Sequence, residues 1–229
     1  MNSIIEKLKG QIIVSSQAMP DEPFYQEECM KAMMQSVING GAKILRVAGA
    51  RDVKMAKELG VTVIGLTKPN KLPENWKSIV YITPTLKEVD ELINADADII
   101  AFDGTSRPRN GNCTLKDIVE RIHDKGKLAM ADISTFDEGL NCANLNADII
   151  STTLAGYTNE SGEAGKTPDF ELLKKLVKAT AIPVILEGRI WEQKDVQKAF
   201  DIGAYAVVIG SAITRPQLIV KRFMEYKNA

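Results

Sequence analysis

The sequence predicts a single (β/α)8 barrel over residues 1–229, and three observations carry that expectation. Eight short β-branched runs recur along the chain, amphipathic stretches separate them, and no Pro-, Gly- or Ser-rich linker interrupts the alternation. From Ile12 to Tyr205 the seven strand-to-strand steps average about 28 residues, which suits a compact eightfold array. An open doubly wound sheet is the competing arrangement. It is disfavoured because no Gly-x-Gly-x-x-Gly follows the first run and eight similar units favour closure.

Taken in order, strands are expected from Ile12 to Gln17, Lys43 to Val47, Thr62 to Thr67 and Asp98 to Asp103. Four more follow, from Lys127 to Ile133, Asp148 to Thr152, Pro183 to Glu187 and Tyr205 to Ile209. Runs such as Ile99-Ile100-Ala101-Phe102 and Ala206-Val207-Val208-Ile209 are almost continuously apolar, as burial on both faces of a parallel sheet requires. Between strands, residues 86–93 place apolar side chains at helical spacing behind a Thr85-x-x-Glu88 capping box. Phe170, Leu173, Leu176 and Val177 form a second helical stripe. A weak repeat sets a small or Asp-containing turn before a strand at Ala95-Asp96-Ala97-Asp98, Leu145-Asn146-Ala147-Asp148 and Ile202-Gly203-Ala204-Tyr205.

Composition narrows function by exclusion. With 29 Lys+Arg against 30 Asp+Glu the formal charge is -1, so no nucleic-acid surface is expected. Cys29, Cys113 and Cys142 are far apart and contain no Cys-x-x-Cys, which argues against a disulfide framework or structural zinc and for a reducing cytoplasm. No apolar run approaches the roughly 20 residues that span a bilayer, and the start of the chain lacks signal-peptide features, so neither membrane insertion nor secretion is expected. His123 is the sole histidine and sits near an expected helix C-terminus, where a structural cation is welcome.

In such barrels chemistry gathers at the C-terminal ends of the strands. The polar residues there are Gln17, Arg46, Lys68, Asp103, Asp132, Thr152 with Thr153, Glu187 and Ser211. Gln17, Lys68, Asp132 and Glu187 end alternate strands and are expected to converge in one layer, with Arg46 and Asp103 from the even set. Gly210-Ser211-Ala212-Ile213-Thr214-Arg215-Pro216 after the eighth strand has the form of a phosphate cradle, with Thr214 expected to cap the next helix and Pro216 to open it. Together with Gly188 and Arg189 after the seventh strand, it stands where many barrels hold a phosphate. Lys68 and Glu187 are the candidate chemical pair. A lysine with a reference pKa of about 10.4 needs burial and a neighbouring cation such as Arg46 to reach the roughly 7–8 that suits a base. Glu187, with a raised pKa, would exchange a proton with a sugar oxygen, and Asp132 would orient Lys68 or touch the sugar. Ser106-Arg107-Pro108-Arg109 is expected to form a substrate-facing loop.

Read in order, these segments resemble a known family. Ile13-Val14-Ser15-Ser16-Gln17-Ala18, Leu45-Arg46-Val47-Ala48-Gly49, Val63-Ile64-Gly65-Leu66-Thr67-Lys68, Tyr81-Ile82-Thr83-Pro84-Thr85 and Ala101-Phe102-Asp103-Gly104-Thr105 carry the first half of the likeness. Met130-Ala131-Asp132-Ile133-Ser134-Thr135, Ser151-Thr152-Thr153-Leu154-Ala155-Gly156-Tyr157-Thr158, Leu186-Glu187-Gly188-Arg189-Ile190 and Gly210 to Pro216 complete it. The chain is similar over nearly its whole length to the N-acylglucosamine-6-phosphate 2-epimerases, also called N-acetylmannosamine-6-phosphate 2-epimerases. Pro69 departs from that family's pattern, which has a basic residue there. The resemblance implies inversion at C2 of N-acetyl-D-mannosamine 6-phosphate to N-acetyl-D-glucosamine 6-phosphate, in sialic acid catabolism, without metal or redox cofactor. It implies Lys68 as the proton-transfer base and Glu187 as the acid or base at the sugar carbonyl. Gln17, Arg46, Asp132, Thr153 and Tyr157 would bind substrate, while Gly188, Arg189, Gly210, Ser211 and Arg215 would hold phosphate. A homodimer is the expected assembly.

Two other readings make distinct predictions. Another phosphate-binding barrel, an aldolase or a thiamin-phosphate-synthase-like transferase, would use the same loops, and an aldolase would use Lys68 as a Schiff-base nucleophile. A non-catalytic sensor barrel would bind RNA in a salt-dependent way and turn nothing over.

Overall fold

The computed structural model describes residues 3–111 and 113–227. Its eight strands are β1 (Ile12–Ser16), β2 (Ile44–Ala48), β3 (Thr62–Leu66), β4 (Ile99–Asp103), β5 (Leu128–Asp132), β6 (Ile149–Ser151), β7 (Val184–Glu187) and β8 (Ala206–Ile209). Each pairs in parallel with its neighbours in sequence, and β8 pairs with β1 to close a barrel. The doubly wound alternative is thereby excluded. All eight expected strands are present, within two residues at each end.

The period of two in a strand divides its side chains between two cores. On β5, Leu128 and Met130 fill the barrel interior, while Ala129 and Ala131 face the surrounding helices. On β2, Ile44 points inward and Leu45 and Val47 outward, which leaves Arg46 as the next inward position. The outer layer is tight. A Cβ on Gly65 in β3 would stand 2.9 Å from Ala97 Cβ and 3.0 Å from Val53 Cγ2, so only glycine lets the helices press this close.

Helices α2 (Glu27–Asn39), α3 (Ala50–Glu58), α4 (Leu86–Asn94), α5 (Leu115–Asp124), α6 (Phe136–Asn144), α7 (Phe170–Ala179) and α8 (Gln193–Ile202) follow β1 to β7 in turn. A short α9 (Ser211–Thr214) and α10 (Pro216–Tyr226) follow β8, and α1 (Ser3–Leu8) precedes β1. Ile5 and Leu8 of α1 join the interior cluster and cover one end of the barrel. The expected Thr85/Glu88 capping box opens α4, and Thr114/Asp117 and Thr135/Glu138 open α5 and α6 the same way. His123 lies in the last turn of α5, with Nε2 2.8 Å from Asp148 Oδ2, a structural position as expected. Among the described residues no helix is long and apolar enough to cross a membrane.

The segment Val80 to Thr83 is not a strand but it repairs the barrel rim. Asp103 N donates to Ile82 O and Thr83 N to Thr67 O, so the returning chain wedges between the ends of β3 and β4. Thr83 adopts φ 43°, held by its hydroxyl, which donates to Ala101 O and accepts from Thr67 N.

Candidate active site

At the C-terminal end of the barrel lies a cleft of about 540 Å³. Lys68, Glu187, Gln17, Thr153, Tyr157, Gly188, Arg189, Gly210, Ser211 and Arg215 all line it, so ten of the expected site residues meet there. Arg46 and Asp132 lie beneath, completely buried.

Arg46 is the floor of the site. Its Nη1 and Nη2 donate to Asp132 Oδ1 and Oδ2 at 3.1 and 2.6 Å, a bidentate pair across the barrel interior. Its Nε lies 3.4 Å from Glu187 Oε2. Burial opposes its charge, but the charges of Asp132 and Glu187 outweigh that and raise its pKa. Asp132 therefore holds Arg46, and Lys68, one of its two expected partners, bonds Gln17 instead.

Glu187 closes β7. Thr153 Oγ1 is 2.8 Å from its Oε2, and Thr152 fixes its backbone by donating to Glu187 O and accepting from Glu187 N, both at 3.1 Å. Burial raises the Glu187 pKa, Arg46 opposes the shift and Asp132 adds to it.

Lys68 follows β3. Its Nζ donates to Gln17 Oε1 at 2.9 Å, and Gln17 Nε2 donates in turn to Ser15 Oγ at 2.8 Å. The side chain opens onto the cleft, yet protein atoms crowd it enough that desolvation, seconded by the Arg46 charge, lowers its pKa from 10.5 to about 8. A neutral amine is thus within reach at mild pH, which a base requires.

The segment expected to form a phosphate cradle follows β8 at the cleft, and its local structure differs from the expectation at Thr214. Gly210 precedes α9, whose first intrahelical bonds are made by Ile213 and Thr214 to Gly210 O. The N–H groups of Ser211 and Ala212 thus belong to the orphan first turn beside the cleft. Pro216 opens α10, as expected, but Thr214 does not cap it. Its hydroxyl donates to Ser15 O at 2.7 Å and so ties the segment to β1. Arg215 pairs with Glu22 at 3.1 Å. The Arg189 guanidinium donates to Thr167 O and Ala155 O and lies 5.6 Å from the centre of the Tyr157 ring, and Gly188 and Arg189 both line the cleft.

Asp103 and the Ser106 to Arg109 loop correct the expectation of a substrate-facing surface. Asp103 is buried and accepts from Arg107 Nη2 at 2.5 Å and Thr105 Oγ1 at 2.6 Å. Arg107 also donates to Trp76 O and Lys77 O, and Arg109 to Pro84 O and Asp103 O. Both arginines brace the loop after β3 from below. That loop brings Leu72, Trp76 and Tyr81 to the cleft, which strand-end reading missed because these residues come from the middle of a connection. Burial pushes the Tyr81 phenol up to about 12, so it stays a proton-bearing donor.

The family model described as "Putative N-acetylmannosamine-6-phosphate epimerase" matches residues 30–229. A protein of that name, with the reaction given as 2-epimerase, from Clostridium perfringens is 47% identical over 223 residues, 97% of this chain and 99% of its own. One from Clostridioides difficile is 42% identical over 223 residues, 97% of this chain and 98% of its own. The solved N-acetylmannosamine-6-phosphate 2-epimerase of C. perfringens matches with TM-score 0.92 and 45% identity, covering 98% of this chain and 96% of that one. A thiamine phosphate pyrophosphorylase from Pyrococcus furiosus reaches TM-score 0.60 at 15% identity, covering 96% of this chain and 98% of that one, a likeness of fold alone. This chain belongs to the N-acetylmannosamine-6-phosphate epimerase family.

Proposed function

We propose that this enzyme inverts C2 of N-acetyl-D-mannosamine 6-phosphate to give N-acetyl-D-glucosamine 6-phosphate, in the catabolism of sialic acid and amino sugars. The observation that carries the reading is the shared cleft: a lysine with its pKa near 8, a carboxyl group with its pKa raised, and the loops after β7 and β8 all line it. Inversion α to an aldehyde needs those three functions, a base, an acid and a distant anchor.

In this reading Gly188, Gly210 and Ser211 receive the phosphate through backbone N–H groups, aided by the Arg215 charge, and the sugar extends towards Lys68. Ring opening breaks the C1–O5 bond with its electron pair leaving on O5, which takes the Glu187 proton. The C1 hydroxyl returns a proton to the Glu187 carboxylate and becomes the aldehyde. Neutral Lys68 then removes the C2 proton, the bonding pair forms C1=C2, and negative charge collects on O1. Glu187 and the Arg46 charge stabilise that enolate. Return of a proton to the opposite face of planar C2, followed by ring closure, completes the inversion. The recess of about 300 Å³ that adjoins the cleft and shares Gln17, Lys68 and Arg215 with it offers room for the N-acyl group, which C2 carries.

The enzyme is further proposed to work as a homodimer in the cytoplasm. Val220, Phe223 and Met224 on α10 are 58%, 73% and 56% exposed and supply an apolar face that supports association. Light scattering on the purified protein reads that assembly directly. For the reaction, incubation with N-acetylmannosamine 6-phosphate is expected to yield the gluco epimer, while the unphosphorylated sugar reacts far more slowly. Equal rates on both sugars would remove the phosphate anchor, and no product from a folded sample would remove the reading. Borohydride trapping of a Lys68 adduct would favour the aldolase alternative instead.

A further inference from the structure

The hydroxyl of Thr153 stands between two carboxyl groups and has one proton to give. Its Oγ1 lies 2.8 Å from Asp132 Oδ1, 2.8 Å from Glu187 Oε2 and 2.9 Å from Ser151 Oγ. A threonine hydroxyl donates one hydrogen bond and accepts two. If both carboxyl groups were ionised, one of the two 2.8 Å contacts would join two acceptors with no proton between them, and these contacts are at ordinary O–H···O length.

Arg46 decides which carboxyl group carries the extra proton. Its two terminal nitrogens grip Asp132 at 3.1 and 2.6 Å. Towards Glu187 it offers only Nε, at 3.4 Å, and that nitrogen makes no hydrogen bond. The bidentate, charge-assisted pair holds Asp132 as the carboxylate. Thr153 then donates to Asp132 and accepts from Glu187 and Ser151, which uses its full capacity.

We propose that Thr153 is a positioning residue that keeps Glu187 in its acid form, donating its own proton to Asp132 and accepting the carboxyl proton of Glu187. The enzyme thus meets substrate with Glu187 as proton donor, and the serine–threonine pair of β6 and its extension sets that state. The inference rests on the role given to Glu187 above, and it reassigns Thr153 from a substrate ligand to a setter of protonation. The charged groups that face Glu187 are Arg46 from β2, Lys68 after β3 and Asp132 from β5, while its β8 register partner is Val208. Burial and the Asp132 charge favour the acid form, against Arg46, Lys68 and a Thr153 hydrogen bond if that bond is donated to Glu187; with the single Thr153 proton given to Asp132, this last effect changes sign.

Infrared titration of the full-length enzyme without substrate tests this. A carboxylic-acid C=O band that vanishes in Glu187→Gln belongs to Glu187. The wild type is expected to show it at neutral pH, and Thr153→Ser to keep its midpoint. Thr153→Val, which removes the acceptor at nearly constant volume, is expected to lower the midpoint by on the order of one pH unit. A hydroxyl that donated to an ionised Glu187 would give the opposite sign, because its loss would destabilise the anion. An unchanged or raised midpoint in Thr153→Val overturns the proposal. So does a wild-type spectrum with no Glu187 band at neutral pH, which decides the matter even if Thr153→Val does not fold. Turnover by Glu187→Gln is a separate readout: wild-type rates there would defeat the catalytic role of Glu187 while leaving the infrared result to stand or fall alone.

Discussion

Lys68 Nζ and Gln17 Oε1 are joined by a 2.9 Å hydrogen bond across the mouth of the barrel, and the bond aims the amine. Gln17 is itself held by Ser15, so β1 orients a lysine that the end of β3 supplies. Gln17→Leu is expected to lower kcat by about tenfold, a loss worth about 1.4 kcal/mol, with a smaller change in KM. Steady-state kinetics check it, and a pure KM effect would make Gln17 a binding residue only.

The lowered pKa of Lys68 gives the pH profile its sign. Deprotonation activates the amine, so kcat/KM is expected to rise as pH passes through about 8. Arg215 adds to the depression of that pKa, so Arg215→Ala moves the rising limb to higher pH while raising KM for the phosphorylated sugar. An unmoved limb in that variant would disconnect Arg215 from Lys68.

The same shift bears on stability. The folded pKa of Lys68 lies below its unfolded value, so between about 8 and 10.5 the unfolded chain binds more protons and stability rises with pH across that window. Below it the folded protein bears the cost of an ammonium held beside the Arg46 charge in a crowded cleft that is open to solvent. Lys68→Met is therefore expected to raise Tm at neutral pH while abolishing turnover, and thermal melts at pH 7 measure the change.

Arg46 and Asp132 form a buried pair whose halves depend on each other. Asp132→Ala strands the guanidinium in the barrel interior and is expected to cost about 3–5 kcal/mol in urea unfolding. Loss of less than about 1 kcal/mol would mean that Glu187 takes over the charge.

Gly156 sits at φ +81° in the loop after β6, and a Cβ there would stand 2.6 Å from Ala164 Cα. Gly156→Ala is expected to strain that loop by about 1–3 kcal/mol and to raise KM by displacing Tyr157. Melting and kinetics on one preparation separate the two effects.

The barrel was legible because buried parallel strands leave near-continuous apolar runs, and because the site side chains other than Tyr157 and Arg215 sit within two residues of a strand end. Lys68, Glu187, Gln17 and Arg46 were found on that rule alone. What it hid were pairings across strands. Nothing in sequence spacing says that Asp132 faces Arg46 instead of Lys68, since that depends on which inward position reaches the barrel axis. Asp103 satisfies the same strand-end pattern as Asp132, but Arg107 four residues on folds back onto it and removes it from the cleft. Trp76 and Tyr81 lie in a connection whose course is set by those buried arginine bonds. Of the cysteines, Cys29 is exposed and Cys142 is buried with its thiol pushed up to about 12.

In the proposed reaction Lys68 removes a proton from C2 and the enzyme restores one there. Proton NMR of N-acetylmannosamine 6-phosphate incubated with the enzyme in D2O reads both events at once. Conversion to the gluco epimer with deuterium entering at C2 is expected, and neither event with Lys68→Ala. Epimer formed at wild-type rate by Lys68→Ala, or a folded wild-type enzyme that leaves the sugar unconverted, would contradict it.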